Sequence, residues 1–378
     1  MNYIYRKTTP FSKTENLELL ESYKDFPVYM GCVDTPRRQD LTEDMNWHID
    51  KSSGFVQLNP LLPLDVVYAN EHGSGKVGKI WTEHHNKFCE FLAQFKLKKI
   101  LEIGGLHGIL AKNYLNIFPD TDWTIIEPNP CIPEDLKVTL IKGFFDNNFD
   151  SNKSYDAIVH SHVLEHIYDL EEFIYKKSTV LKDGSMLILS IPNMEQMLKR
   201  NYTNCLNFEH TFFLTEPYIE NVFSRFQFSL EKKEYFKEDH SIFYAFKKDS
   251  SVQEKKLADG LYFKNKDIFL SFINYIKGQV LCLNKGLSQN KHTVYLFGAH
   301  IFSQYLINFG LEEDSIHCIL DNDKEKHGKR LYGTNLFCQS PAILSDQKNP
   351  IVILRAGIYN EEIKEDILKN INPETIFI

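Results

Sequence analysis

No stretch of this chain reaches the roughly 18 to 20 consecutive apolar residues that a membrane helix requires. Its first residues, Met-Asn-Tyr-Ile-Tyr-Arg-Lys, lack the apolar core of a signal peptide, so a cytoplasmic protein is the expectation. Positive charge is also short. Lys and Arg number 43 against 51 Asp and Glu, a net charge of −8, which leaves no surplus to neutralise a phosphate backbone and excludes nucleic acid as the main partner. The seven cysteines (Cys32, Cys89, Cys131, Cys205, Cys282, Cys318, Cys338) are scattered, with no Cys-x-x-Cys pair. That excludes a disulfide framework and leaves reduced, mostly buried thiols. Repeats and low-complexity tracts are missing too. What remains is an ordinary globular composition, 43% hydrophobic and 25% charged over 378 residues, with room for two or three domains.

Residues 1–95 mix turn formers with short apolar runs, and Phe55-Val56-Gln57-Leu58 before Asn59-Pro60 reads as a strand stopped by proline. From Ile80 to about Phe95, the positions Trp81, His84, His85, Phe88 and Leu92 have helical spacing and lead into a new domain over 96–250. Apolar runs follow at Lys99–Ile103, Trp123–Ile126, Val138–Ile141, Ala157–Val159 and Ser185–Ser190, separated by helical stretches, as in a mostly parallel sheet covered on both faces. A linking helix is predicted in 251–289 from Leu261, Ile268, Phe269, Phe272, Ile273 and Ile276. A second, smaller α/β alternation occupies 290–378, with strands at Val294–Phe297, His317–Leu320 and Ile351–Leu354.

The strongest chemical signal is Leu101-Glu102-Ile103-Gly104-Gly105-Leu106-His107-Gly108, a strand ending in glycines just before a helical stretch. Glycine lets the backbone approach a ligand without a Cβ in the way, and the helix then begins beside that ligand. About twenty residues later the next strand ends in Glu127, where a carboxylate accepts hydrogen bonds from both hydroxyls of a ribose. A dinucleotide site would want Gly-x-Gly-x-x-Gly. Glu-x-Gly-x-x-x-Gly instead resembles the first motif of class I S-adenosylmethionine-dependent methyltransferases.

Two further segments carry that resemblance. Ser154-Tyr155-Asp156-Ala157-Ile158-Val159-His160-Ser161-His162-Val163-Leu164-Glu165-His166-Ile167 is similar to the fourth-strand segment of the superfamily, and Ser190-Ile191-Pro192-Asn193 to the end of its fifth strand. The implied fold is α/β, with a central Rossmann-like sheet. The implied cofactor is S-adenosylmethionine, held by Glu102, Gly104, Gly105, Gly108, Glu127 and Ser161. His72 and Ser74, in the glycine-rich segment ahead of His84, are expected to close over its methionine end, with a plain hinge as the alternative.

The whole order, an N-terminal module, a methyltransferase core, a linking helix and a second Rossmann-like domain, resembles the sugar C-methyltransferases that act on nucleotide-linked deoxysugars. Phe297-Gly298-Ala299-His300, Leu320-Asp321-Asn322-Asp323-Lys324 and His327-Gly328-Lys329-Arg330-Leu331-Tyr332-Gly333-Thr334 are similar to that family's C-terminal signature. Phe208-Glu209-His210-Thr211-Phe212-Phe213 resembles its Glu-His segment, which implies His210 as general base with Glu209 beside it; bonding of backbone groups at a loop before a helix is the alternative for both. Gly54-Phe55-Val56-Gln57-Leu58 resembles the strand after its second zinc pair. The resemblance further implies a nucleotide-linked sugar acceptor destined for a bacterial surface polysaccharide such as a capsule.

Two departures shape the expectation. The N-terminal module offers only Cys32, with Ser52 and Ser53 near the second thiolate pair of the family, so no zinc is predicted there. Asn207 and Phe208 stand where the family tends to carry Tyr and His. Proton abstraction beside a ketone needs an enolate stabiliser as well as a base, whereas methylation of a hydroxyl needs positioning and one base. O-methylation is therefore favoured over C-methylation of a 4-keto deoxysugar, with a non-catalytic nucleotide-sugar binding protein as the alternative of another class. His162, near the donor end of its strand, is a second catalytic candidate. Glu165 and His166 read as capping or packing, and adjacent His84 and His85, about 100° apart on a helix, make a poor metal pair. Gly298 and Asp321 stand in too sparse a glycine pattern for a second dinucleotide site, so a vestigial or substrate-gripping role is expected over a second cofactor.

Overall fold

The computed structural model describes residues 1–69, 78–146, 149 and 153–378. His72 and Ser74 lie outside the described residues.

Strands β1 (Leu17–Pro27), β2 (Thr42–Asp50) and β3 (Val56–Leu58) form an antiparallel sheet in the N-terminal module. Sequence pattern reveals only the last of them. In β1 the register shifts between Leu19 and Glu21 and again between Tyr23 and Phe26, so the period-two alternation that marks a strand is broken twice. The corner after β2, where Ser52 and Ser53 stand, is closed by hydrogen bonds. Buried Asp50 accepts from Ser53 Oγ (2.6 Å), Thr9 Oγ1 (3.1 Å) and the Ser52 amide (2.9 Å).

Helix α1 (Lys79–Ala93) delivers the chain to β4 (Lys99–Ile103). There follow α2 (Ile109–Ile117), β5 (Asp122–Glu127), β6 (Thr139–Lys142), β7 (Ala157–Ser161), α3 (Leu170–Val180), β8 (Met186–Pro192), α4 (Glu216–Arg225), β9 (Phe228–Phe236) and β10 (Ser241–Lys248). They build one seven-stranded sheet in the order β6-β5-β4-β7-β8-β10-β9. All pairings are parallel through β8, and the β8–β10 and β10–β9 pairings at one edge are antiparallel. Strand order reverses at β4, which has β5 on one side and β7 on the other. In open α/β sheets the ligand crevice opens beyond the carboxyl ends of the strands at such a switch point. Here those ends are Gly104, Glu127 and Ser161.

Helix α5 (Leu261–Leu287) starts later than the spacing predicts, with Gly260 in a left-handed conformation at its N-cap. Its buried face packs on both flanking units: Phe269 lies 6.3 Å from Trp47 of β2, and Phe272 lies 6.1 Å from Tyr305 of α6 (Ile301–Asn308). Each buried aromatic of this kind is worth about 1.5–3 kcal/mol. Strands β11 (Val294–Phe297), β12 (Cys318–Leu320), β13 (Cys338–Gln339), β14 (Ile351–Leu354) and β15 (Ile376–Phe377) form a second sheet, parallel throughout, in the order β13-β12-β11-β14-β15.

The first and last units are fastened to each other. Arg330–Leu331 pairs antiparallel with Cys32–Val33, and the buried Arg330 guanidinium donates to both oxygens of Asp40 at 2.6 and 2.7 Å. Its remaining donors reach the Thr35 carbonyl, from Nε and Nη2, and the Thr334 carbonyl at 2.8 Å, from Nη1.

Candidate active site

The switch-point crevice is built from tight turns. Gly104 (φ +79°) and Gly108 (φ +62°) occupy the left-handed region, and Gly108 is the N-cap of α2. A Cβ on Gly104 would stand 2.7 Å from Val163 Cγ2 and one on Gly108 2.6 Å from Leu136 Cδ2, so the crevice floor admits only glycine without displacement. Glu102 lies beneath this turn: its Oε2 accepts the Trp123 indole N–H at 2.9 Å, and a Cβ on Gly105 would come within 2.9 Å of its Cδ. Burial, with the nearby Glu127 charge adding, pushes the Glu102 carboxyl up to about 7. Glu127 ends β5, 8% exposed, with Oε1 accepting the Asn129 amide at 3.0 Å, and burial raises it too. A glycine turn, a carboxylate one strand over and Ser161 on the other flank form a cradle that fits an adenosine-bearing cofactor.

Next to Ser161 stands His162, held at φ +52°, a conformation that costs a non-glycine residue about 1–3 kcal/mol. Its Nε2 is 3.0 Å from Ser241 Oγ and its Nδ1 3.3 Å from Glu165 Oε1. Around it gather residues remote in sequence. His84 Nε2 is 2.8 Å from Ser190 Oγ, His240 Nδ1 is 2.6 Å from Ser241 Oγ, and the Trp81 ring lies 5.0–5.3 Å from the rings of His84, His162 and His240. Ring nitrogens of the three histidines come within 4.8 Å of one another. Burial lowers His84 strongly and His240 to about 3, so these two rings stay neutral at ordinary pH.

A second cluster sits on the other side of Glu165. His210 is held by its main-chain amide and that of Glu209, both donating to Asn207 Oδ1 at 2.8 Å, and its Nδ1 is 2.7 Å from the Cys205 carbonyl. With Nδ1 taken as the donor to that carbonyl, Nε2 carries the free lone pair. Burial, with His166 adding, lowers this ring to about 4 against the opposing influence of Glu165, the Cys205 carbonyl and Glu209. The His166 ring lies 4.9 Å from that of His210, its Nδ1 3.7 Å from Glu209 Oε2 and 3.2 Å from the Tyr68 hydroxyl.

The N-terminal module positions this cluster. Leu58 donates to the Thr211 carbonyl (3.0 Å) and Phe213 to the Val56 carbonyl (3.0 Å), so β3 pairs with the segment carrying His210. Arg6 adds hydrogen bonds to the carbonyls of Thr211 (3.0 Å) and Tyr168 (2.6 Å) and lies 4.1 Å above the Phe212 ring. Tyr68, Trp81, Ser190 and His240 are absent from the sequence-predicted site. Ser190 stands in the segment that resembles the fifth strand and Trp81 in the helical pattern ahead of the core, but no local motif gives any of the four a place at the site; the pairing of distant segments brings them in. In the C-terminal unit, by contrast, Asp321 is occupied internally, accepting from the Ala299 and Asp323 amides and from Lys326.

Residues 81–233 match the family of methyltransferase domains, and residues 252–378 match the family described as the C-methyltransferase C-terminal domain. The chain thus carries the domain of an S-adenosylmethionine-dependent methyltransferase, followed by a C-terminal domain of the kind found in C-methyltransferases. The second match takes in the linking helix as well as the sheet behind it. Among curated proteins no relative matches.

Solved structures with a similar core include a protein from Nostoc punctiforme described as a candidate O-methyltransferase (15% identity, TM-score 0.38, 45% of this chain and 57% of that one). An O-methyltransferase family protein from Burkholderia thailandensis is similar over 45% of this chain and 56% of its own (14% identity, TM-score 0.38). The N-methyltransferase NodS from Bradyrhizobium japonicum, in complex with S-adenosyl-L-homocysteine, is similar over 46% of this chain and 89% of its own (14% identity, TM-score 0.36). The chain spans little more than half the length of the first two.

Proposed function

We propose that the protein transfers the methyl group of S-adenosylmethionine to a ring carbon beside the ketone of a nucleotide-linked deoxysugar. One observation carries the choice of carbon over oxygen: the Tyr68 hydroxyl stands 3.2 Å from His166 Nδ1, beside the His210 ring. The preference for O-methylation drawn from Asn207 and Phe208 assumed that no hydroxyl donor serves this site. Tyr68 supplies one from the other end of the fold, and the C-methyltransferase C-terminal domain match agrees with it.

In this reading Gly104, Gly105 and Gly108 admit the donor against the backbone, Glu127 holds its ribose, and Ser161 and His162 border its reactive end. S-adenosylmethionine supplies an activated methyl group. His210 Nε2 takes the proton from the acceptor carbon, the C–H electron pair passes into the enolate, and the Tyr68 hydroxyl donates to the enolate oxygen. Glu209 faces His166 at 3.7 Å, and the Cys205 carbonyl orients the His210 ring. A neutral imidazole is required for this task, and burial keeps His210 neutral through the physiological range.

The test is to incubate the protein with isotopically labelled methyl donor and a panel of nucleotide sugars, with and without a 4-keto group, and to locate the label by NMR. Label on a ring carbon is expected. Label on oxygen returns the O-methylation reading. No label despite donor binding points to a nucleotide-sugar binding protein.

A further inference from the structure

Between the two histidine clusters lies a carboxylate with no assigned task. Glu165 is 1% exposed, and neither of its oxygens has a hydrogen-bond donor among the described residues. A capping role would require a backbone N–H on that carboxylate, and none of the described residues supplies one. A packing role is poorly served by an ionised group, because a buried carboxylate without compensation is strongly destabilising. Its compensation is imidazole. His162 Nδ1 lies 3.3 Å from Oε1, and ring nitrogens of His166 and His210 lie within 4.8 Å of the carboxylate. Burial alone would raise Glu165; the contact with His162 first, and then the charges that His162, His166 and His210 carry when protonated, outweigh it and hold the group low. The main chain fixes the arrangement, since the Glu165 carbonyl accepts the Thr211 amide at 2.9 Å, one residue after His210.

We propose that Glu165 is a positioning residue for proton abstraction: a buried, ionised carboxylate that stabilises the imidazolium formed when His210 takes the acceptor's proton, while holding His162 at the donor end in one orientation. The inference rests on the reading of His210 as base. The proton moves from the acceptor carbon to His210 Nε2, and the electron pair of the broken C–H bond becomes the enolate. A positive ring is thus created beside the buried Glu165 carboxylate. The charged and titratable groups acting on that ring are Glu165 and His166 from the turn after β7 and Glu209 from its own segment, and Tyr68 of the N-terminal module contacts His166. Of the two carboxylates, Glu209 already engages His166, at 3.7 Å. Glu165 is the negative charge shared by all three histidines.

The experiment reads proton abstraction apart from methyl transfer. The full-length protein is incubated in D2O with S-adenosylhomocysteine and a 4-keto-6-deoxysugar nucleotide, and deuterium entry beside the ketone is followed by NMR. Glu165→Gln should slow exchange about 10- to 100-fold, from the usual effect of a neighbouring opposite charge on a base. Glu165→Asp should restore most of the rate, and S-adenosylhomocysteine affinity should stay unchanged in both. Normal exchange in a folded Glu165→Gln variant overturns the proposal.

Should that variant fail to fold, or should the wild type neither exchange nor methylate this acceptor, carbon-13 labelling of the glutamates decides. A Glu165 carboxyl ionised at neutral pH, whose titration is coupled to that of the His210 ring, supports the proposal. A protonated or uncoupled one refutes it. Coupling without exchange in the wild type places the failure in the proposed acceptor chemistry instead.

Discussion

Gly104→Ala separates two uses of a glycine that sequence motifs cannot tell apart. At φ +79° an alanine pays about 1–3 kcal/mol in backbone strain. Its Cβ would also stand 2.7 Å from Val163 Cγ2, well inside the roughly 3.5–4.0 Å of an optimal carbon–carbon contact. Crowding of this kind adds about 1–3 kcal/mol unless Val163 moves, and Val163 follows the strained His162 directly. At about 2–4 °C per kcal/mol for a domain of this size, the melting temperature should fall by several degrees even without ligand. The assay is thermal melting of the wild type, Gly104→Ala, Val163→Ala and the double variant, each with and without S-adenosylhomocysteine. In Val163→Ala the crowded methyl is gone and only the backbone cost remains, so the cycle should show coupling of about 1 kcal/mol or more. A Gly104→Ala protein as stable as the wild type, or strictly additive melting shifts, refutes the reasoning. Lost ligand stabilisation at unchanged intrinsic stability would mean that the Cβ meets the donor rather than Val163.

Glu127→Ala should weaken S-adenosylmethionine binding by about 1–3 kcal/mol in a calorimetric titration, because hydrogen bonds to a charged group are lost. His210→Asn should lower kcat by about 10²- to 10⁴-fold at nearly constant donor affinity. The acid limb of the wild-type rate profile should lie well below 6.5, towards the value of about 4 to which burial brings this ring; a limb at 6.5 would assign the base elsewhere. Lys177, fully buried with Nζ 2.9 Å from His160 Nε2 and 3.9 Å above the Phe173 ring, is depressed well below the ordinary lysine range by burial. Below that range the unfolded chain binds a proton that the folded one refuses, so this group makes stability rise with pH by up to about 1.4 kcal/mol per unit. Lys177→Met should therefore be the more stable protein at pH 7 in urea unfolding, with the gap closing as pH approaches 10.5. A gap independent of pH would show that Lys177 is charged in the fold.

Much of the central sheet is legible in the chain because its information is local. Apolar runs such as Leu187–Leu189 mark strands buried on both faces, and Gly104 and Gly108 announce positive φ where only glycine is free of strain. Glu127 falls at a strand end, so its place beside the crevice follows from the parallel order. Strand β1 escapes notice because its two register shifts break the alternation that a one-dimensional pattern needs. The antiparallel edge hairpin is hidden by Glu231-Lys232-Lys233-Glu234, which stand in β9 on the rim of the sheet.

The composition, the α/β class, the glycine crevice and the candidate base His210 are determined by residues close together in sequence. What only the tertiary structure decides is the company His210 keeps. Tyr68 meets His166 across 98 positions, β3 pairs with the Thr211 segment, and Glu165 comes to lie among three imidazoles. Such contacts arise when modules bury their apolar faces together, and that burial is non-directional. The hydrogen bonds of the assembled fold then select the partners, and no local pattern in the chain encodes them.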